Sequence, residues 1–113
     1  LAGCDAVTIK LARVGGVTRA ALLRDVACEL GLLVTVEDTG GSDIATAAMA
    51  HLSLSTPARS RLHTVDFNAW VTVSNATGMP APEAGSLGLP PGPGLGVAVD
   101  EGMLGAPLVS IRE

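Results

Sequence analysis

Residues 5–38 read DAVTIKLARVGGVTRAALLRDVACELGLLVTVED, and this stretch decides the fold. In 5–13, DAVTIKLAR, Val7, Ile9 and Leu11 alternate with Thr8, Lys10 and Ala12, the period of a strand. Gly15-Gly16 breaks it. In 18–30, TRAALLRDVACEL, the apolar spacing changes to that of a helix. Thr18 is a natural N-cap, and Leu22, Leu23, Val26, Ala27 and Leu30 fall on one stripe, the expected buried face. Gly31 sits where a C′ glycine belongs. A second strand follows at 32–37, LLVTVE.

Working outward, Gly40-Gly41 ends the second strand. A helix is expected from Ser42 to Ser55, rich in Ala and stopped by Pro57. Its small side chains let it lie close on a sheet. A third strand is expected at 62–67, LHTVDF. Strands joined through helices favour parallel pairing with right-handed crossovers. Two architectures fit: a doubly wound sheet, or a slice of a (β/α)8 barrel.

After Trp70 the composition changes. Residues 71–113 hold 8 of the 14 Gly and 6 of the 7 Pro, which leaves no room for another long helix. A rigid loop, a short strand at 95–99 and an irregular tail are expected. The apolar Leu87, Leu89, Leu95, Val97, Val99, Met103 and Leu104 imply that the tail packs on something. The chain thus divides at residue 70: a barrel-type part, 1–70, and a tail, 71–113.

Composition narrows the function. The 113 residues carry 7 Lys plus Arg against 11 Asp plus Glu, a net charge of −4. That is room for one domain at most. So few basic residues disfavour nucleic acid and anionic membranes, which need clustered Lys and Arg. Phe67 and Trp70 are the only aromatics, so base stacking is disfavoured too. At 48% hydrophobic residues the chain is not disordered, and no apolar run reaches the length of a membrane span. Cys4 and Cys28 make no disulfide framework, and Cys28 is expected as a buried free thiol. Leu1 is not followed by a signal-peptide pattern, and a cytoplasmic location is expected.

On the strands, the outward positions are apolar and the inward ones, Thr8, Lys10, Thr35 and Glu37, are polar or charged. An isolated small sheet does not tolerate a charged lining without partners, whereas the mouth of a barrel does. With no initiator Met, the chain is expected to be a C-terminal piece of a longer protein.

Lys10 is the first candidate for chemistry. Reactive groups in parallel α/β folds gather at the C-terminal strand ends, and a desolvated lysine there can take a proton from a carbon acid. Glu37 should face the barrel axis, as a candidate substrate contact. Asp38 either contacts substrate or caps the following turn. Asp43 suits the first turn of a helix, where an acid favours the dipole. Asp66 and Asn68 share a face at the end of the third strand and could grip an ammonium, with Trp70 as a pocket wall. His51 and His63 are expected to be structural. Two isolated histidines and no clustered cysteines give no zinc pattern, and GGVTRA and PGPGLG do not match a dinucleotide fingerprint.

At this point the residues reach a family. IKLARVGGVTRAALLRDVACELGL resembles the sixth strand and helix of the enolase superfamily, in its mandelate racemase and muconate-lactonizing branch. VEDTGGSDIATAAMAHLSLSTP resembles the seventh strand and helix, and VDFNAWVTVSNATG the eighth strand. PGPGLGVAVDEGMLGAP is similar to the tail that returns to the capping domain. The resemblance covers essentially the whole chain. It implies a (β/α)7β barrel of which this chain is the C-terminal part, and a parent that binds Mg²⁺ through acids on earlier strands, upstream of Leu1. It implies abstraction of a proton alpha to a carboxylate, the metal stabilising the enediolate. The sixth-strand lysine maps onto Lys10.

VEDTGGSDIATAA with HL-x-x-STP resembles the cis-3-hydroxy-L-proline dehydratase branch. Where many relatives carry Glu-Ser before the seventh helix, this chain has Gly41-Ser42. Dipeptide epimerases carry Asp-x-Asp on the eighth strand; here it is Asp66-Phe67-Asn68, which argues for a cyclic amino acid instead. The implied partner is a small amino-acid-type carboxylate, and the implied parent a homo-oligomer. Two alternatives stay open: a racemase or epimerase of proline-type substrates, and a non-catalytic barrel remnant.

Overall fold

The computed structural model describes residues 3–40, 42–65 and 70–111. Strand β1, Ala6–Lys10, leads into a single helical turn, α1, Leu11–Val14, and then helix α2, Val17–Glu29. Strand β2 is Leu33–Glu37, helix α3 is Asp43–Ser55 and strand β3 is Arg61–Thr64. The three strands form one parallel sheet in the order β1-β2-β3.

Helices α2 and α3 both pack on one face of this sheet. Ile9, Val34 and Val36 form a buried cluster with Ala20 and Ala27 of α2 and Ala48, Met49 and Leu52 of α3. The opposite face carries Thr8, Lys10, Thr35 and Glu37, as alternation predicts. Two right-handed crossovers that advance in the same direction put both helices on one face, as in a barrel wall and as in one βαβαβ half of a doubly wound sheet.

Several boundaries move. The first strand ends at Lys10, not at residue 13, because Leu11–Val14 turn into α1. That turn ends on Gly15, at φ 89°, and Gly16 follows at φ 103°, ψ −178°. Two successive residues at positive φ explain why the sequence places a glycine pair here. Gly16, and not Thr18, is the N-cap of α2, and no side chain caps it. Gly31 does take the left-handed conformation expected of a C′ residue, at φ 75°. Helix α3 begins as expected: Ser42 Oγ accepts from the backbone N–H of Ile44 and Ala45, at 3.2 and 3.5 Å. The expected strand 62–67 is observed as Arg61–Thr64; residues 66–67 lie outside the described residues.

The leucine stripe of α2 does not form the core. Leu22 is 64% exposed, and Leu23, Val26 and Leu30 are exposed as well. The side of α2 that meets the rest of the molecule is Ala20, Arg24 and Ala27, spaced i, i+4, i+7. Alanines let the helix approach the sheet, and Arg24 lies against α3, donating from Nη1 to Ser55 Oγ at 2.6 Å. Cys28 is half-buried beside the core, and neither cysteine is in a disulfide.

The tail returns across α3. Strand β4, Ala76–Thr77, pairs antiparallel with β5, Ala98–Val99, and α4, Glu101–Leu104, follows. The expected strand at 95–99 is therefore only its last two residues. Leu95 packs against the core. His51 Nε2 donates to the Leu95 carbonyl at 3.2 Å, a structural role as expected, and one that fixes which ring nitrogen carries the proton. Ser74 Oγ donates to Asp43 Oδ2, and Asn75 Nδ2 donates to Ser42 Oγ at 3.3 Å. The start of α3 thereby holds both itself and the tail. No helix among the described residues is long and apolar enough to cross a membrane.

Candidate active site

Parallel register places Lys10 directly opposite Glu37. Both are the last residues of their strands, so both stand at the C-terminal end of the sheet. Partner residues on adjacent strands project to the same side, here the side away from the helices. Lys10 Nζ lies 3.0 Å from Glu37 Oε1. Their side chains are 26% and 21% exposed, so the pair is largely desolvated. Lys10 is the only lysine in the chain; the other basic residues are arginines.

Asp38 takes the capping alternative. It is buried, and its Oδ1 accepts from the Thr39 N–H at 2.7 Å, the Thr39 hydroxyl at 3.1 Å and the Ala12 N–H at 3.3 Å. It ties the end of β2 to the first turn of α1, next to Lys10. Asp43 stands in the first turn of α3, where its charge favours the helix dipole. Trp70 is 79% exposed. Asp66 and Asn68 lie outside the described residues.

His63 is the residue that the sequence reading misplaced. The expected strand 62–67 puts it near the start, but it stands third in β3, opposite Thr35. Its Nδ1 lies 3.4 Å from Thr35 Oγ1. The pairing of β2 with β3 slips between Val34 and Thr35, which skips Leu62. Such an irregularity changes which face a side chain meets. Thr64 consequently faces the helices and bonds to Ser53 of α3. The sheet face away from the helices thus carries, in rising order, Thr35 with His63 and then Lys10 with Glu37. No residue-type signal marks the slip.

Among the described residues, no group of three or more His, Cys, Asp or Glu is placed to hold a metal ion. The described residues do not by themselves fit a Mg²⁺ site. What the arrangement offers is one amine at a strand end, held by a carboxylate, on the face that a closed barrel would turn inward.

Comparison with known proteins decides the family. The family model described as enolase C-terminal domain-like matches residues 1–103. The chain belongs to this enolase-type family. It is 41% identical over 104 residues to a cis-3-hydroxy-L-proline dehydratase of Roseibium aggregatum, covering 92% of this chain and 28% of that protein. It superposes on a member of the enolase superfamily from Roseovarius nubinhibens, crystallised with magnesium, with TM-score 0.86 and 40% identity. That match covers 97% of this chain and 30% of the other. A mandelate racemase/muconate lactonizing enzyme from the same organism gives TM-score 0.85 at 34% identity, over 93% and 28% of the two chains. The enolase-type chain therefore spans less than a third of these relatives' length. Its three parallel strands and two outer helices are a segment of the enolase-type barrel wall.

Proposed function

We propose that this chain supplies one wall of the active site of an enolase-type enzyme, and that Lys10 moves a proton at the α-carbon of an amino-acid carboxylate. The observation that carries the reading is the position of Lys10. It stands at the C-terminal end of β1, on the face away from the helices, largely removed from water. A lysine so placed exchanges a proton with one face of a substrate lying over the barrel mouth. The barrel part, 1–70, would provide this wall, and the tail, 71–113, would return toward a capping domain. The Mg²⁺ ligands of such an enzyme would belong to strands outside these 113 residues.

The preferred substrate is cis-3-hydroxy-L-proline, on the strength of the similarity to the Roseibium dehydratase. The α C–H bond breaks and its proton passes to a barrel amine. The electron pair then expels the 3-hydroxyl, which leaves with a proton as water. The enamine that remains tautomerises to a cyclic imine. Lys10 serves one face of the ring as base or as proton donor. Asp66 and Asn68 would hold the ring nitrogen, with Trp70 as a pocket wall.

Product analysis on the enzyme that carries this chain tests the assignment. Loss of one water from cis-3-hydroxy-L-proline, with formation of the imine, supports the dehydratase. Inversion at the α-carbon without loss of water replaces it with the epimerase reading. No reaction with any proline-type acid removes both and leaves the non-catalytic one.

A further inference from the structure

Glu37 has two possible employments at the mouth of the barrel: it can contact the substrate, or it can hold Lys10. We propose the second. Glu37 is a positioning residue that fixes the Lys10 ammonium in space, and it does not bind substrate. The inference rests on the proposed role of Lys10 and deepens it.

A lysine amine hangs on four rotatable carbons, and it loses much rotamer freedom when held at one point. A proton-transfer group needs that point fixed, because a displacement of about 1 Å costs about 100-fold in rate. The sheet register provides the fixing. Lys10 and Glu37 are paired residues of adjacent parallel strands, and Nζ reaches Oε1 at 3.0 Å without either chain leaving its strand. An exposed ion pair would mean little. This one is about three-quarters removed from water on both sides, where attraction is stronger.

Among the described residues, the charged groups around Lys10 leave Glu37 the natural partner. Asp38, the next residue, is turned to the Ala12 and Thr39 donors. His63 on β3 shares the face but is matched to Thr35, one layer below. Arg13 on α1 adds only positive charge. Asp25 and Glu29 lie on α2, which covers the other face of β1, and Asp25 is paired with Arg24. Asp5 precedes β1 at its far end.

The test uses the enzyme that carries this chain, with Glu37→Gln and Glu37→Asp beside the parent. The first readout is the rate at which acetic anhydride acylates Lys10 at fixed pH, followed by mass spectrometry of the peptide that contains it. Glu37→Gln keeps the size but not the charge, and should speed acylation about three- to five-fold. Glu37→Asp should fall between, and carries the measurement alone if the glutamine variant does not fold. An unchanged rate in the variants overturns the pairing, whether or not the enzyme dehydrates hydroxyproline. The second readout is the kinetic split. Positioning predicts that Glu37→Gln lowers kcat about 10-fold or more and leaves KM within about 3-fold. A KM that rises while kcat holds makes Glu37 a substrate ligand and overturns the inference. Absence of turnover in the parent enzyme defeats the proposed function instead, and the acylation result still decides the pairing.

Discussion

Ser42 does two tasks with one hydroxyl. It accepts from the first free N–H groups of α3, and it receives the Asn75 amide from the tail. Replacing a serine cap by alanine removes about 1 kcal/mol of stability. At Ser42→Ala the loss should lie at the upper end, near 2 kcal/mol, because the tail contact goes with it; urea unfolding measures this. Single residues were legible where one rule sufficed. The Ala-rich run ended by Pro57 placed the start of α3 at Ser42, and alternation put Lys10 and Glu37 on one face. His63 was not legible, because its placement depends on a one-residue slip between β2 and β3 that nothing in Arg61-Leu62-His63-Thr64 announces. Asp38 was open between two roles until its partners were seen, since an acid after a strand suits either.

At the scale of elements, α2 shows how a correct periodicity can point to the wrong neighbour. Leu22, Leu23, Val26, Ala27 and Leu30 do share a stripe, but the sheet is met through Ala20 and Ala27, and most of the leucine side is left uncovered in these 113 residues. Periodicity says that a face is apolar; it does not say which element covers it. The pair Leu22→Lys and Val26→Lys should therefore change the chain's thermal midpoint little, by the equivalent of about 0.5 kcal/mol or less, whereas burial of these side chains would make it several times larger. The junction between α1 and α2 behaves oppositely. Gly16 holds φ 103° and ψ −178° with open space around it, so an added methyl meets no neighbour but forces a backbone that L-residues avoid. Gly16→Ala should cost about 1–3 kcal/mol by thermal or urea melting, the price of conformation alone. The tail was legible as an irregular, packed segment from its Gly and Pro content. Its anchoring on Ser42, Asp43 and His51 was not, since these contacts join residues more than thirty positions apart.

At the scale of the molecule, the chain is a three-stranded wall with helices outside and charge inside. Such a wall is complete only within a larger barrel, and the relatives it matches are more than three times as long. The 113 residues by themselves should bind Mg²⁺ no better than millimolar in a calorimetric titration, because the described residues bring no three metal-binding side chains together. Saturable binding well below about 1 mM would place ligands in this chain and revise the division of the site. The central claim is that Lys10 moves the α-proton. The most direct measurement is exchange of that proton with D₂O by the enzyme carrying this chain, followed by NMR on both α-carbon configurations of a proline-type substrate. Lys10→Ala should abolish exchange on one face of the ring and leave the fold intact. Exchange that continues unchanged on both faces would contradict the claim and return Lys10 to an ordinary ion pair with Glu37.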